Sequence, residues 1–383
     1  MGILIDHTDS KNYLKVDALS TSAGMLTAWQ SLKPVDTQWD AFLASSPYSH
    51  FYQSSMWGEV RKLDGWQPLI TVITLDDIII GGFQMLWRRK SYLGKVGLVL
   101  KGPVVESDDP VVMKFTVATL KNTAQINGIR AMIIQPADRD DKMHARLRSS
   151  GLSENYNSAV KTNTLVVDLT KEENDILKRM KADKRSSIRK AMNMGVTIHE
   201  GTQVDLPHFF SFMVDTCKRQ QVLPSPSDFS FLLKLWETFS KTGSIKLLIS
   251  QYEGADVSMN LVLLTGKNAF LWKFGWSGTF GNLHPNELLN WGTLKWAKSN
   301  GYSCGDMGAI DYALAEVILK NEKVDNELSR TYSYFKVGFG GNVVPLSKGF
   351  VYIPNPIIRL GYNLFMPIIN KYPYLKKKMI FGE

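Results

Sequence analysis

The apolar positions in the first half of the chain fall into short runs rich in β-branched residues, separated by two helical stretches. Two of these runs flank the acidic pair Asp76-Asp77, and such a pair between β-rich runs predicts a β-hairpin. Pro110 suits the first turn of a helix, where its missing N–H group costs nothing. The predicted elements are a helix at 53–63, strands at 68–75, 78–89 and 96–102, a helix at 110–127 and a strand at 131–136.

The second half shows a similar pattern after a longer helical stretch. Thr170 and Glu173 have the spacing of a capping box, and Gly195 follows Met194, so we predict one long helix between these signals. The segments EGAD and TGKN are typical of turns between strands. The other predicted elements are a strand at 165–169, helices at 205–220 and 227–241, strands at 244–251, 257–265 and 268–276, a helix at 286–300 and a strand from 304.

Both halves therefore share one order of elements, which is three strands, a helix and a further strand. This order is typical of an acyltransferase-like α/β (α+β) sheet, and its recurrence indicates a structural duplication without a residue-level repeat. Residues 1–33 are rich in Ser and Thr and show no periodicity, so we expect a loose extension or a local arm there.

Composition adds two constraints. The length of 383 residues suggests two domains, and a content of 44% apolar and 21% charged residues is typical of a soluble globular protein. The net charge of +9 suits an anionic partner such as nucleic acid, an anionic membrane surface or a phosphorylated substrate, although it also suits a protein that is merely basic.

Missing motifs exclude several classes of protein. Cys217 and Cys304 form no CxxC pair and the six histidines have no ligand spacing, so neither a disulfide framework nor a metal site is expected. The sequence has no Walker or Rossmann motif, so no nucleotide cofactor is expected, and kinase and dehydrogenase functions are disfavoured. A polar N-terminal stretch and the lack of any apolar run of about 18 residues predict a cytoplasmic protein.

The stretch Pro285–Gly341 combines a helix, a short strand and a glycine-rich segment. Apolar residues spread around most of the predicted helix, which indicates packing on more than one side, and Gly301 is placed to end it. The segment SRTYSYFKVGFGGN is predicted to be rich in turns and contains Lys336 among aromatic residues and glycines. Such a lysine is costly to bury unless it meets an anion, and the alternative is a surface lysine whose ammonium reaches solvent.

Several pieces of the sequence resemble, in the same order, motifs of the FemABX family, the aminoacyltransferases that build peptidoglycan peptide bridges from aminoacyl-tRNA. They are FYQSSMWGEVRKLDGW and KGPVV, then MKADKRSSIRKAMNMGVTI, then PxELLxWxxxKWA with DMGxI, and finally YFKVGFGG. The resemblance implies two tandem GNAT-like domains with mixed sheets flanked by helices and no coiled-coil arm. The implied boundaries are an extension at 1–35, a first domain on the acceptor side at 36–163, a second domain on the donor side at 164–345, and a C-terminal segment at 346–383 that returns to the first domain.

The resemblance also implies an activity, namely transfer of an amino acid from aminoacyl-tRNA to an amine of a muropeptide or lipid-linked cell-wall precursor. The family's Phe-Lys pair falls on Phe335 and Lys336. Lys336 would be the cation for the oxyanion or for the donor's terminal phosphate, and Phe335 would position the donor. Asp306 matches a family residue that faces the site, and its alternative role is a structural acceptor for backbone N–H groups. Gln135 occupies a position that is acidic in the family, which weakens the case for a base in the first domain.

For the acceptor, Arg61 and Trp57 match the place where the family grips a pyrophosphate or sugar precursor, and the alternative for Arg61 is an ordinary helix-surface arginine. Tyr334 belongs to the same segment as the Phe-Lys pair, and we expect it to contribute to substrate binding. Polar groups of family members that act on nucleotide-linked muropeptides are replaced here at three places, namely Ser225, Phe229 and Phe274.

Basic residues cluster at two further places. Lys178, Lys181, Arg185 and Arg189 recur at positions i, i+3, i+7 and i+11 of the predicted long helix, where they would form one continuous positive ridge with no acidic residue nearby. Such a ridge can follow tRNA phosphates, or it can be a solvated helix face. Lys376–Lys378 near the C-terminus end a docking tail, or else contact the inner face of the plasma membrane peripherally.

Two alternatives to the aminoacyltransferase hypothesis stay open. The first is a GNAT-like N-acyltransferase that uses acyl-CoA on a glycan or small-molecule amine. That chemistry normally requires an R/Q-x-x-G-x-G/A loop at the start of a helix, and RKSYLGKVG precedes a strand instead. The second is a non-catalytic module that binds tRNA or membrane, which the retained Phe-Lys segment disfavours.

Overall fold

The computed structural model of the chain describes residues 2–5, 12–91, 93–138, 140–154 and 162–369. The described residues separate into two compact units, one made of 2–154 with 347–369 and the other of 162–346. Each unit contains its own mixed sheet with helices packed against it. The predicted α/β fold class, with two mixed sheets flanked by helices, is therefore confirmed.

The N-terminal part of the first unit contains eight strands and four α-helices among its described residues. The strands are β1 (Tyr13–Thr21), β2 (Gly24–Ser31), β3 (Gln67–Leu75), β4 (Ile78–Lys90), β5 (Gly94–Leu100), β6 (Val104–Val105), β7 (Ile129–Gln135) and β8 (Ser153–Glu154). The helices are α1 (Thr37–Ser45), α2 (Ser55–Arg61), α3 (Pro110–Ile126) and α4 (Asp141–Ser149).

The predicted hairpin around the acidic pair is present. Strands β3 and β4 pair antiparallel up to Leu75 and Ile78, and the two residues between them have positive φ values of 47° at Asp76 and 65° at Asp77. Positive φ at both central residues is the conformation that suits the twist of a two-residue hairpin, and aspartate tolerates it better than most residues. After α3 the chain returns as β7, which pairs in parallel with β5.

The prediction of a loose extension or local arm over residues 1–33 is wrong for residues 13–31, and residues 1 and 6–11 lie outside the described part of the chain. Strands β1 and β2 form an antiparallel pair, and β2 pairs with β3, so this segment extends the first sheet. Most residues of β1 are exposed because it lies at the edge of the sheet. An exposed edge strand buries little on either face, and its sequence therefore lacks the periodicity that identifies a strand.

The second unit contains seven strands and seven α-helices among its described residues. The strands are β9 (Asn163–Asp168), β10 (Thr197–Gly201), β11 (Ile245–Tyr252), β12 (Ala255–Thr265), β13 (Asn268–Trp276), β14 (Cys304–Ala309) and β15 (Asn342–Pro345). The helices are α5 (Glu173–Arg179), α6 (Ala182–Asn193), α7 (Leu206–Arg219), α8 (Phe229–Phe239), α9 (Pro285–Ser299), α10 (Tyr312–Leu319) and α11 (Tyr332–Val337).

The second sheet has the strand order β10-β11-β12-β13-β14-β9-β15. Strands β11, β12 and β13 are antiparallel neighbours, and β14 joins β13 in parallel after α9. The first sheet has the same arrangement in β3, β4 and β5, followed by α3 and the parallel strand β7. The shared order of elements expected from the sequence is thus present in both units. Residues 220–228 join α7 to α8 directly.

Helix α9 lies in the core of the second unit. It contacts α6 as well as strands β11 and β12, and Leu289, Leu294 and Ala297 are completely buried. The predicted packing on more than one side is therefore confirmed. Gly301, just after the helix, has a φ of 81°, the left-handed conformation that glycine adopts at a helix end without strain.

The single long helix predicted from Thr170 to Met194 is wrong. Two helices, α5 and α6, are separated at Met180 and Lys181, whose ψ values of 151° and 149° are extended. The Lys181 N–H group donates to the carbonyl of Gly338 at 2.9 Å, so a contact from a distant segment replaces a helical hydrogen bond. The predicted capping box is absent as well, because the Thr170 hydroxyl donates to Asp168 at 2.6 Å.

The last described segment contains β16 (Phe350–Tyr352) and α12 (Pro356–Ile369). Strand β16 pairs antiparallel with β7 and β8, which completes the order β1-β2-β3-β4-β5-β7-β16-β8 of the first sheet, and β6 pairs with β4. The strand beside β7 therefore comes from much later in the sequence. Within the described ranges, no helix combines the length and the apolar character needed to cross a membrane.

Candidate active site

Strands β13 and β14 diverge at the centre of the second sheet. Their parallel pairing ends at Phe270 and Asp306, although β13 continues to Trp276 and β14 to Ala309. The pairing of β14 with β9 is also irregular between Asp306 and Ala309. Because the strands separate here, backbone groups at the end of β14 must find partners outside the sheet ladder.

The Asp306 carboxylate stabilises this irregular strand end. Its Oδ1 atom accepts hydrogen bonds from the Thr164 hydroxyl at 2.5 Å and from the Gly308 N–H group at 2.7 Å. Gly308 has a φ of 79°, a left-handed conformation that glycine adopts without strain. These contacts fit the alternative role considered for Asp306 in the sequence analysis, that of a structural hydrogen-bond acceptor.

Lys336 is buried, with 6% of its surface exposed, and lies on α11. The Thr331 side chain accepts a hydrogen bond from the Tyr334 N–H group at 3.2 Å and so caps this short helix, in a segment predicted to consist of turns. The Lys336 ammonium donates to the carbonyls of Met307 and Gly308 at 3.3 Å each, and also to that of Ala309. These backbone acceptors offset the cost of burying the charge, and they exclude a lysine whose ammonium lies in solvent.

Three rings of α11 each have a lysine ammonium close to them. The Lys181 Nζ atom lies 3.4 Å from the ring centroid of Tyr334, and the Lys184 Nζ atom lies 4.1 Å from that of Phe335. The Lys336 Nζ atom lies 5.5 Å from the third ring, that of Tyr332. At these distances the negative faces of the rings attract the ammonium groups. We call this set of three lysines and three rings the lysine–aromatic cluster.

Lys184 and Glu287 are two residues of this region that the sequence analysis did not single out. The Lys184 ammonium pairs with the Glu287 carboxylate at 3.1 Å, and their side chains are only 12% and 14% exposed. Glu287 lies in the first turn of α9, where a carboxylate also interacts favourably with the helix dipole. Both residues belong to the family-like motifs quoted above. Their place in those motifs could have identified them, whereas their spacing in the sequence could not.

The continuous positive ridge predicted along one helix is wrong. The Lys178 ammonium pairs with Asp175 at 3.2 Å, so an acidic residue is close by. The Arg185 guanidinium donates to the carbonyl of Lys178 at 3.2 Å and to that of Met180, where α5 ends. Arg189 is exposed on α6. The break between α5 and α6 separates these residues, and only Lys181 joins the lysine–aromatic cluster.

In the first unit, Arg61 lies close to two indole rings. Its Cζ atom is 5.5 Å from the ring centroid of Trp57 and 5.6 Å from that of Trp66. The Arg88 Cζ atom is 4.5 Å from the ring centroid of Trp66. Arg61 also pairs with Asp64 at 3.0 Å, and burial together with the positive charge of Arg88 lowers the Arg61 pKa, whereas Asp64 raises it. Sequence reasoning found Trp57 and Arg61 but missed their two neighbours, since Arg88 lies on another element.

Some positions that carry polar or acidic side chains in the family carry other residues here, and these residues pack against rings or hydrogen-bond to the backbone. The Phe274 ring stacks on Tyr332 with the centroids 6.1 Å apart, beside the diverging strands. The Phe229 ring contacts that of Phe210 at 5.8 Å. The Gln135 side chain donates to the carbonyl of Ser347 at 3.0 Å and is 2% exposed. Gln135 therefore contacts the segment that leads to β16.

Comparison with known proteins agrees with this description. A family model described as an acetyltransferase (GNAT) domain matches residues 178–315, and the FemAB family model matches residues 35–162. A crystal structure of FemX superposes with a TM-score of 0.74 over 88% of this chain and 99% of its own, at 17% identity. The chain therefore contains a GNAT acetyltransferase domain and shares its fold with FemX.

Sequence relatives narrow this class. The lipid II:glycine glycyltransferases of Staphylococcus aureus strains MRSA252 and COL are each 23% identical over 223 residues, which is 55% of this chain and 52% of theirs. The chain therefore spans about half the length of the curated relatives it matches. A conserved protein of unknown function from Bacteroides thetaiotaomicron shares the fold with a TM-score of 0.52 and 10% identity, over 83% of this chain and 97% of its own. The FemAB match over residues 35–162 and these glycyltransferase relatives support a relationship of the chain to the FemABX family.

Proposed function

We propose that this protein transfers an amino acid from an aminoacyl-tRNA to an amine of a peptidoglycan precursor, either a muropeptide or a lipid-linked intermediate. The named relatives, lipid II:glycine glycyltransferases, support the class of acceptor. The observation that carries the proposal is the lysine–aromatic cluster at the diverging strands β13 and β14. Its location and its residue types suit a donor that combines an aromatic base, phosphates and an ester.

The donor side of the proposal rests on charge and stacking. The 3′ end of an aminoacyl-tRNA presents an adenine, phosphates and the ester carbonyl within a short length of chain. Aromatic side chains stack on single-stranded bases, and lysine ammonium groups attract phosphates. Phe335 and Tyr334 provide rings, and Lys181 provides positive charge beside Tyr334, whereas the charge of Lys184 is paired with Glu287. This assigns the donor to α11 and the start of α6.

In the proposed reaction the acceptor amine attacks the ester carbonyl, a C–N bond forms, and the C–O bond to the tRNA ribose breaks. The amine loses a proton, and the ribose hydroxyl that leaves gains one. A tetrahedral intermediate carries a negative oxygen, which a fixed positive charge stabilises. We assign that charge to Lys336, which also keeps the end of β14 in place through its three carbonyl contacts. Asp306 acts as a positioning residue for the same strand end.

The acceptor side of the proposal uses the first unit. Arg61 and Arg88 bring two guanidinium groups next to Trp57 and Trp66. Guanidinium groups bind phosphate oxygens in pairs, so the partly exposed Arg61 and Arg88 suit a precursor linked through pyrophosphate, while the buried rings of Trp57 and Trp66 hold them in place.

An acyl-CoA donor is the second candidate, because CoA also contains adenine and phosphates and the chain carries a GNAT domain. To separate the two donors, the purified protein is incubated with a pool of charged tRNAs or with a panel of acyl-CoAs, plus muropeptide and lipid-linked precursors. Products are identified by mass. Aminoacylated precursor formed only with charged tRNA is the expected result, and product formed only with acyl-CoA would refute the tRNA donor. No product with any donor would favour a non-catalytic binding module.

The acceptor site is tested with a matched pair of neighbours on β4. Arg88 lies against Trp66, whereas Arg89 is exposed. We expect Arg88→Met to raise the KM for the precursor by about tenfold, because one charge-assisted hydrogen bond is worth about 1.5–3 kcal/mol. Turnover at saturating precursor should change little, and Arg89→Met should behave like the wild type. Equal effects of the two substitutions would contradict this assignment.

A further inference from the structure

Helix α12 exposes its large apolar side chains. Five of them have more than half of their surface in solvent, namely Ile357 (80%), Ile358 (54%), Leu360 (61%), Leu364 (58%) and Phe365 (62%). By contrast, Met366 is only 9% exposed. A helix on the surface of a soluble protein normally buries its apolar residues and exposes its polar ones, and α12 does the opposite.

The five exposed residues lie on one face. With 3.6 residues per turn, they fall within an arc of about 160° around the helix. Arg359, Tyr362 and Met366 lie on the opposite side, and the Arg359 guanidinium donates to the carbonyl of Ile353 at 3.5 Å. The polar side of α12 therefore contacts its own unit, while the apolar face, defined here as Ile357, Ile358, Leu360, Leu364 and Phe365, points outward.

The charged residues of this region are mostly basic. Helix α12 has no acidic residue, and its charged side chain is Arg359. The sequence that follows, residues 370–383, contains Lys371 and Lys376–Lys378 but a single acidic residue, Glu383. An outward apolar face together with an excess of basic residues is the combination found in helices that lie in the interface of an anionic bilayer.

We propose that α12 is a membrane-docking element that inserts its apolar face into the surface of an anionic bilayer. With 14 residues the helix is about 21 Å long, so it would lie parallel to the surface. Five apolar side chains leave water on docking, and the basic residues attract the anionic headgroups. The docking surface follows from the helix itself, whereas its use in catalysis rests on the proposed function, since it would bring the enzyme to a lipid-linked acceptor.

The test compares binding to vesicles made of phosphatidylglycerol and phosphatidylcholine with binding to vesicles of phosphatidylcholine alone, by flotation. The full chain is compared with the double variant Leu360→Gln/Leu364→Gln. A matched control, Val204→Gln/Leu223→Gln, replaces residues of the second unit that are 83% and 91% exposed. We expect the full chain and the control to bind the anionic vesicles, and the α12 variant to bind at least about tenfold more weakly.

Three outcomes would overturn the proposal. They are no binding to anionic vesicles, binding that the α12 variant leaves unchanged, and a dimer in solution that the same variant dissociates, which would make the face an interface between copies. Aminoacyl transfer to a soluble muropeptide is measured in parallel. If that transfer persists in the α12 variant while transfer to the lipid-linked acceptor falls, docking and catalysis are separate. A failure of all transfer in the wild type would count against the proposed function and not against docking.

Discussion

At the scale of single residues, Lys336 has two roles to separate. Its buried ammonium binds the carbonyls of Met307, Gly308 and Ala309, so it stabilises the end of β14, and we also propose that its charge stabilises an oxyanion. The burial of Lys336 results from tertiary packing and was not evident from the sequence. Its aromatic and glycine neighbours in the sequence had already indicated a lysine in a partly apolar environment.

We predict that Lys336→Met lowers turnover by about 10²-fold, because a preorganised positive charge at the oxyanion is lost. The KM for the donor should change much less. The same change should lower the free energy of unfolding by about 1–3 kcal/mol, since buried carbonyls lose their partner. Steady-state kinetics and urea unfolding measure the two effects. Near-normal turnover in a variant that circular dichroism shows to be folded would contradict the catalytic role.

The buried carboxyl group of Asp40 makes stability depend on pH. Burial raises the pKa of Asp40 from 3.8 to about 6, although hydrogen bonds from the Ser55 N–H group at 2.7 Å and the Ser55 hydroxyl at 2.5 Å oppose the rise. The folded state therefore binds the proton more tightly than the unfolded state. The contribution of Asp40 to stability is fully present below about pH 4 and is lost as the pH rises through about 6.

We therefore predict that Asp40→Asn stabilises the protein more at pH 7 than at pH 4. The difference between variant and wild type in unfolding free energy should change by about 2 kcal/mol between these pH values, because each pKa unit corresponds to about 1.36 kcal/mol and unfolded Asp40 is already partly ionised at pH 4. Urea unfolding at several pH values measures it, with the exposed Glu106→Gln as control. Parallel pH profiles for Asp40→Asn and wild type would show that burial does not perturb this carboxyl group.

At the scale of elements, the junction between α5 and α6 decides which lysines can meet a donor. Lys178 pairs with Asp175 on the exposed side of α5, whereas Lys181 begins α6 and faces Tyr334. The positive ridge predicted from the sequence gave Lys178 and Lys181 the same role. The extended backbone at Met180 and Lys181 makes them different, because it ends the helical register that would have aligned their side chains.

Accordingly, we predict that Lys181→Met weakens binding of charged tRNA and reduces the slope of log affinity against log salt by about 0.7–0.9, the amount expected for one phosphate contact. Lys178→Met should leave the slope unchanged, because its ammonium already pairs with Asp175. Filter binding at several salt concentrations measures both slopes. If Lys178→Met weakened tRNA binding more than Lys181→Met, the exposed face of α5 would be the binding surface instead.

At the scale of the whole molecule, the first sheet depends on residues from the far end of the chain. Strand β16 lies between β7 and β8, and its Phe350 and Tyr352 side chains are 1% and 7% exposed. A sheet that loses an internal strand exposes unpaired backbone groups and apolar surface at the same time.

We predict that a chain ending at Leu346 loses cooperative unfolding of the first unit, since it lacks β16. The variant Phe350→Ala in the full-length chain is a milder test and should cost about 3–5 kcal/mol through the cavity it creates. Calorimetry and limited proteolysis measure these effects. If the shortened chain unfolds at the temperature of the full-length chain, β16 does not stabilise the first sheet.

Much of the architecture could be predicted because it depends on neighbours in the sequence. The Asp76-Asp77 turn, the proline at the start of α3 and the glycine after α9 are local signals, and each marks an element boundary that the structure contains. The motifs around Glu287 and Lys336 likewise indicated the family. Two predictions failed where local signals were misleading, in the exposed edge strand β1 and in the break at Met180.

The sequence by itself determined the order of three strands, a helix and a strand that both units share, the class of fold and the segment that contains Lys336, because periodicity and turn chemistry are properties of short stretches. Only the tertiary structure decided that Lys336 is buried against the carbonyls of β14, that Arg88 and Trp66 join Arg61, and that the apolar face of α12 points outward. The physical reason is that burial and charge pairing depend on residues that are distant along the chain, and no local pattern encodes which of them meet.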